Sequence, residues 1–350
     1  MPATNRHPTV TRLEVQGDVL SPRSTPAAAT VGDIIYIVGG GYDSDLEEVV
    51  IAYNDIHAFD TTTSTLTELH PSGTPPPPSF FAAGAADETN GHVYVFGGSS
   101  YDHGIANLTI FGDLHRYSVA DNEWTLAAPA SEGPGPRVRP NLWSHGAHIY
   151  AFGGLDHQLQ NHNDIWRFST IDHVWEQVAD DINTPRGRYE AASGNASHDG
   201  KVYALGGENM RAAEFRPVLV PGTLEIDLDS GVIRRLPIDR PNDVTGAMRH
   251  QAAAATLEGT LYVYGGDDPH NKKAGCGAPY PQGPIGQIWS LDVANNSWHL
   301  SDHLGAPLKR TVASAANNKM YVFGGYGFEC EDGVGPGQIW NTDIYVIDPT

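Results

Sequence analysis

With 350 residues, 40% of them hydrophobic and 18% charged, and with 39 Gly beside 25 Pro, the chain has enough apolar content for a packed core and too many turn formers for a coiled coil or a disordered chain. Acidic residues outnumber basic ones 42 to 21, a formal charge of -21, so a nucleic-acid backbone would be repelled over most of the surface. No window approaches the run of about eighteen apolar residues that spans a membrane, and the N-terminal MPATNRHPTVTRLEV has no secretory apolar stretch, so the reading is a soluble, cytoplasmic protein.

Along the chain, TVTRLEV (9–15) comes first, and everything after it repeats. Six apolar strands end in a Gly pair: IIYIVGG, VYVFGG, IYAFGG, VYALGG, LYVYGG and MYVFGG, with the pairs at 39/40, 97/98, 153/154, 206/207, 265/266 and 324/325. Each follows a run of small residues, such as Ala27–Ala29, Ala82–Ala86 or Ala252–Ala255, that lets strands crowd toward a common axis. A variable loop and a third strand come next: NDIHAFD (54–60), GDLHRYS (112–118), NDIWRFS (163–169), GTLEIDL (222–228), GQIWSLD (286–292) and TDIYVID (342–348). After a turn, Leu66, Trp124, Trp175, Ile233 and Trp298 open a fourth strand.

The Gly pair, the aromatic residue of the third strand and the later Trp resemble the Kelch repeat, over nearly the whole chain. The resemblance implies an all-β, six-bladed β-propeller with four strands per blade, in one domain spanning 1–350. The blades would occupy about 25–70, 80–128, 140–179, 188–237, 250–300 and 310–350. The sixth unit stops after its third strand, so residues 9–15 are expected to supply the missing fourth strand and close the ring, with Leu13 in the Trp position. Blades one and four depart from the pattern, with Leu66 and Ile233 in place of Trp.

In such a disc, chemistry belongs to the face loops and the central tunnel. Eight of the 21 basic residues fall just before the innermost strands, among them Arg23, Arg137, Arg139, Arg186, Arg188, Arg249 and Arg310. Converging at one end of the axis, they would form a positive ring that attracts a polar or anionic ligand. Phe81 and Trp143 would add apolar walls, and His250, Tyr189 and Glu190 are the candidate proton carriers. Each Arg could equally belong to the fold, bonding loop carbonyls.

The long loops of units five and six hold Asp267, His270, Cys276 and Cys330, a weak metal set without HxH, HExxH or CxxC spacing; the two cysteines could instead form a disulfide. The iron-binding acidic and histidine motif of the similar nitrile-specifier proteins is incomplete here. Sialic-acid mutarotases share the six-bladed architecture and act on an anionic sugar. No cofactor is therefore expected. GxSxG, GxxxxGK and strand-borne GxGxxG signatures are absent.

Two functions compete. In the first, the mouth binds a small polar or anionic molecule and catalyses a non-redox isomerisation, elimination or cyclisation. In the second, the disc is a protein-interaction scaffold whose Arg-rich face takes an acidic partner.

Overall fold

A computed structural model describes residues 8–44, 49–102, 106–180, 197–211, 216–220, 222–236, 249–267, 283–331 and 334–349. Among them the chain is all-β apart from one 3-10 turn at Ala130–Glu132, and its sheets form the six blades of a β-propeller. Blade three shows the basic unit: Asn141–His145 innermost, then His148–Phe152, Ile165–Ser169 and Trp175–Ala179, each antiparallel to the last. Blades one and two add a two-residue outer strand, Gln16–Gly17 and Ser72–Gly73, paired parallel to the fourth strand. In blade four the described strands are Lys201–Leu205, Thr223–Asp227 and Ile233–Arg235; the stretch expected to form its innermost strand lies outside the described residues.

Strand alternation buries both faces of every blade, so the core is a set of wedges between neighbours. Ala27, Ala29, Tyr36 and Val38 of blade one meet Val93, Val95 and Trp124 of blade two, and equivalent clusters fill the other seams. Alanine-rich innermost strands are what the narrow end of a wedge requires, because larger side chains would force adjacent blades apart.

The ring is closed by the N-terminus: Thr9–Arg12 pairs antiparallel with Tyr345–Asp348. The register differs from expectation. Val10 faces Ile347, the position in which Leu66 faces Phe59 and Trp124 faces Tyr117, so Val10 rather than Leu13 takes the Trp position. The strand ends at Arg12; Leu13 donates its amide to the Ile344 carbonyl and turns into the seam between blades six and one. Blade four is offset by one residue as well: Thr223 pairs with Leu205 where Ile56 pairs with Val38, so the third-strand motif starts one residue earlier than GTLEIDL suggests.

The Gly pair has a specific cause. At its second glycine the backbone is left-handed, φ 95° at Gly98 and 81° at Gly266, and an added Cβ would lie 2.9 Å from the Phe80 carbonyl oxygen and 2.7 Å from that of His250. Only glycine lets the second strand pass under the turn that leads into the innermost strand.

His57 and His115 are buried in the third strands of blades one and two. Burial holds both below the usual imidazole pKa, with Asp55 and Asp113 opposing it. The unfolded chain therefore takes up more protons as pH drops below about 6.5, and stability should be lost in that direction. We expect the denaturant midpoint to fall between pH 7.5 and 5.5, with a shallower decline in His115→Gln; an unchanged slope in that variant would exclude His115 as a contributor.

Candidate functional site

The turn entering each innermost strand has three positions with separate roles. The middle residue, Ser24, Phe80, Val138, His250 or Lys309, forms a β-bridge with the residue just after its blade's Gly pair, respectively Gly41, Ser99, Leu155, Asp267 and Tyr326. The residue before it points into the blade. The residue after it points to the axis.

The inward position holds Arg23, Arg137 and Arg249, all buried. Arg23 donates to both oxygens of Asp55 at 2.6 and 2.7 Å and to the Gly39 carbonyl at 2.9 Å. Arg137 donates to Asp164 at 3.1 Å and Arg249 to Gln287 at 2.6 Å. In blades three and five a Trp shares the acceptor, Trp166 donating to Asp164 and Trp289 to Gln287. These three arginines, expected at the mouth, are instead fastened to the third strand of their own blades. Trp143 is also displaced from its expected place: fully buried, it stacks on Phe152 in the seam between blades three and four, because alternation along the innermost strand turns it sideways.

The axial position holds Thr25, Phe81, Arg139, Gln251 and Arg310, every one left-handed, with φ between 50° and 60°. Such angles in non-glycine residues cost on the order of 1 kcal/mol each and persist where surroundings over-determine them. Here the compensation is a collar of backbone bonds running from blade to blade. Arg310 donates its amide to the Gln251 carbonyl, Thr25 to Arg310, Phe81 to Thr25 and Arg139 to Phe81, at 2.9–3.2 Å. Beneath the collar is a cavity of about 140 Å³, walled by these side chains and the alanines below them.

Above it, the mouth has two unlike arcs. The apolar arc gathers Phe80, Phe81, Ile110, Val138 and Leu155, with Tyr101 stacked on Phe80 at 4.8 Å. The charged arc starts at Arg139, 3.6 Å from Glu208, which bonds His250 at 2.7 Å; His250 lies 3.9 Å from Asp267, whose carboxylate is ion-paired with Lys309. Arg310 closes the arc on Asp43 at 3.0 Å, and the Tyr101 hydroxyl donates to the same oxygen at 3.1 Å. Arg139 and Arg310 stand at the two junctions, 3.8 and 5.5 Å from the Phe81 ring, in cation–π range. The expected positive ring is thus an alternating one, in which Asp43, Glu208 and Asp267 offset the cations.

Burial would pull the His250 pKa down, but the Glu208 bond and the charges of Glu208 and Asp267 outweigh it and raise the group above an ordinary imidazole. Asp267 is ion-paired with Lys309 and accepts the Gly283 amide, and no cluster of three metal-ligating side chains occurs among the described residues. Arg186, Arg188, Tyr189, Glu190, His270 and Cys276 lie outside the described residues, as does the side chain of Cys330 and with it the disulfide. Glu208 and Asp43 complete the arc without having been singled out from the sequence, whereas Lys309 is the eighth of the basic residues before the innermost strands; for Glu208, the position after a Gly pair, which it shares with Asp267, was the available signal.

Six like blades around an axis define a β-propeller of the repeat class. A family model described as the KLHDC2/KLHL20/DRC7 Kelch-repeats domain matches residues 4–207, and the chain belongs to the Kelch-repeat family. It is 24% identical to rat (Rattus norvegicus) Kelch domain-containing protein 3 over 93% of this chain and 84% of that protein. The match to the human (Homo sapiens) protein of that name, at 29% identity, covers 47% of this chain and 42% of the relative's length. Human host cell factor 1 is 26% identical over 67% of this chain, which spans 11% of that much longer protein. Among solved structures, YjhT superimposes with a TM-score of 0.69 over 96% of this chain and 97% of its own, at 16% identity, a likeness of fold. No helix among the described residues is long and apolar enough to cross a membrane.

Proposed function

We propose that the mouth is a docking surface for a polypeptide partner that sets acidic side chains on Arg139 and Arg310. The observation that carries this reading is the convergence of Arg139 and Arg310, from blades on opposite sides of the axis, on the Phe81 ring at one opening, over a buried apolar cluster. A rim of this composition has the aromatic and Arg content of interface hot spots. The cavity below, at about 140 Å³, falls short of the roughly 300 Å³ at which small-molecule pockets begin. The partner would therefore rest across the opening.

The second reading, a small anion isomerised or eliminated with His250, Tyr189 and Glu190 moving protons, is favoured by the Glu208–His250 bond, an arrangement that can hold an imidazole for acid–base work.

Selection of a random peptide library on the immobilised protein should enrich sequences rich in Asp or Glu. A selected peptide should bind the Arg139→Gln/Arg310→Gln double variant at least about tenfold more weakly, the worth of one charge-assisted contact. Equal affinity for the double variant, at an unchanged melting temperature, would sink the docking reading.

A further inference from the structure

Resting on the docking reading, we infer that the cavity beneath the collar is a carboxamide-binding site: the partner rests across the opening and lowers one Gln side chain between Gln251 and Thr311. The inference stands on two oxygen atoms. Gln251 of blade five and Thr311 of blade six both wall the cavity of about 140 Å³, at 8% and 7% exposure. The Gln251 Oε1 and the Thr311 Oγ1 are buried with no hydrogen-bond partner. Buried polar groups are nearly always satisfied, and leaving one unmet costs free energy, so two of them on the walls of one cavity mark a place where a ligand supplies the missing bonds.

Neither atom is there for the fold. At the position of Thr311 the other turns described carry Pro26, Ala82, Pro140 and Ala252, so the repeat requires no hydroxyl. Thr25, the other uncharged polar residue of the axial set, is used by the collar, its hydroxyl accepting the Phe81 amide at 3.2 Å. Gln251 gives the collar only its main chain, accepting from Arg310, and its carboxamide oxygen is left over.

The surroundings select the ligand. Oε1 only accepts, so the ligand must donate to it, whereas the Thr311 hydroxyl donates or accepts. A carboxylate has nothing to donate. An ammonium has, but Arg139 and Arg310 wall the same cavity and repel it. A primary carboxamide meets both atoms without charge: its N–H donates to Gln251 and its carbonyl accepts from Thr311. The alanines of the innermost strands then pack on its methylenes. Size agrees, since a cavity of about 150 Å³ takes a guest the size of benzene, and a Gln side chain is no larger. Water can serve both atoms in the free protein, and a group that reproduces its bonds displaces it without loss.

Two fluorescein-labelled octapeptides, all Glu except for Gln or Met at one central position, serve as probes, Met having the length of Gln without its amide. The wild type should bind the Gln peptide at least about tenfold more tightly, because Met leaves both oxygens unserved. In Gln251→Met/Thr311→Val, which loses no hydrogen bond among the described residues, the preference should vanish or reverse. Propionamide alone should move the Gln251 side-chain NMR signals of the wild type, and butanone, with a methyl group in place of the amide nitrogen, should not. Equal binding of the two peptides by the wild type, or a Gln preference that survives in the double variant, overturns the insertion while leaving docking intact. Propionamide binding without a Gln preference assigns the cavity to free small amides and likewise overturns it. Failure of both peptides to bind, or binding unaffected by Arg139→Gln/Arg310→Gln, overturns the docking reading and the insertion with it.

Discussion

Arg23→Ala is expected to lower the unfolding free energy by about 3 kcal/mol, the lower end of the range for breaking a buried ion pair from one side. Arg23 is fully buried and satisfies two oxygens of Asp55 and the carbonyls of Ser21 and Gly39; its own carbonyl also accepts the Gly325 amide of blade six. Removal strands the Asp55 carboxylate, whose side chain keeps 24% exposure and so recovers some water. The loss falls on the seam that closes the ring. Arg23→Met combined with Asp55→Leu should regain most of it, since no unpaired charge remains. Urea midpoints check both variants. Binding at the mouth should be unaffected in the single variant at temperatures where it is folded, because the guanidinium never reaches the axis. A loss under 0.5 kcal/mol, as for about an ordinary surface change, would show the pair to be incidental.

Deletion of residues 1–13 should have the larger effect. It removes the whole outer strand of blade six, including Val10 from one seam and Leu13 from the next, and the carbonyl of Pro8 that accepts the Ser301 hydroxyl at 2.8 Å. Two half-buried apolar side chains, at about half of the 1.5–3 kcal/mol for full burial, plus four residues of ladder, put the cost on the order of 5 kcal/mol. The exposed edge at Tyr345–Asp348 then becomes a template for pairing with other chains. We expect the truncated protein to melt far lower and to associate, and a synthetic peptide of residues 8–20 to restore the monomeric melt. Unaltered melting would mean that the sixth blade stands without its N-terminal strand.

The fold was legible because each repeat carries its own punctuation: small-residue run, Gly pair and third strand recur at fixed positions, and six copies correct one another. The register of single strands was not. Residues 9–15 contain Val10, Leu13 and Val15, any of which could fill the Trp position, and only pairing with Ile347 selects Val10. The mouth was half legible. Arg137 and Arg139 are two residues apart and identical in chemistry, yet one is locked to Asp164 and the other lies against Phe81. Their separation depends on a left-handed residue, which a sequence reveals when it is glycine and hides when it is Arg139 or Phe81. Trp143 was misplaced for a related reason: an aromatic residue beside a mouth loop faces the axis or the next blade according to its parity along the strand.

Among the described residues, from Gln251 through Arg310, Thr25 and Phe81 to Arg139, the collar lays four amide-to-carbonyl bonds along the circumference, each joining neighbouring blades, so there these main-chain groups are turned away from the shaft. What faces the shaft is decided by side chains at one recurring address in each of the five blades where that turn is described. Such a design separates identity from durability: Thr25, Phe81, Arg139, Gln251 and Arg310 can be rewritten one at a time, retuning what is recognised while the girdle that binds the blades together stays whole.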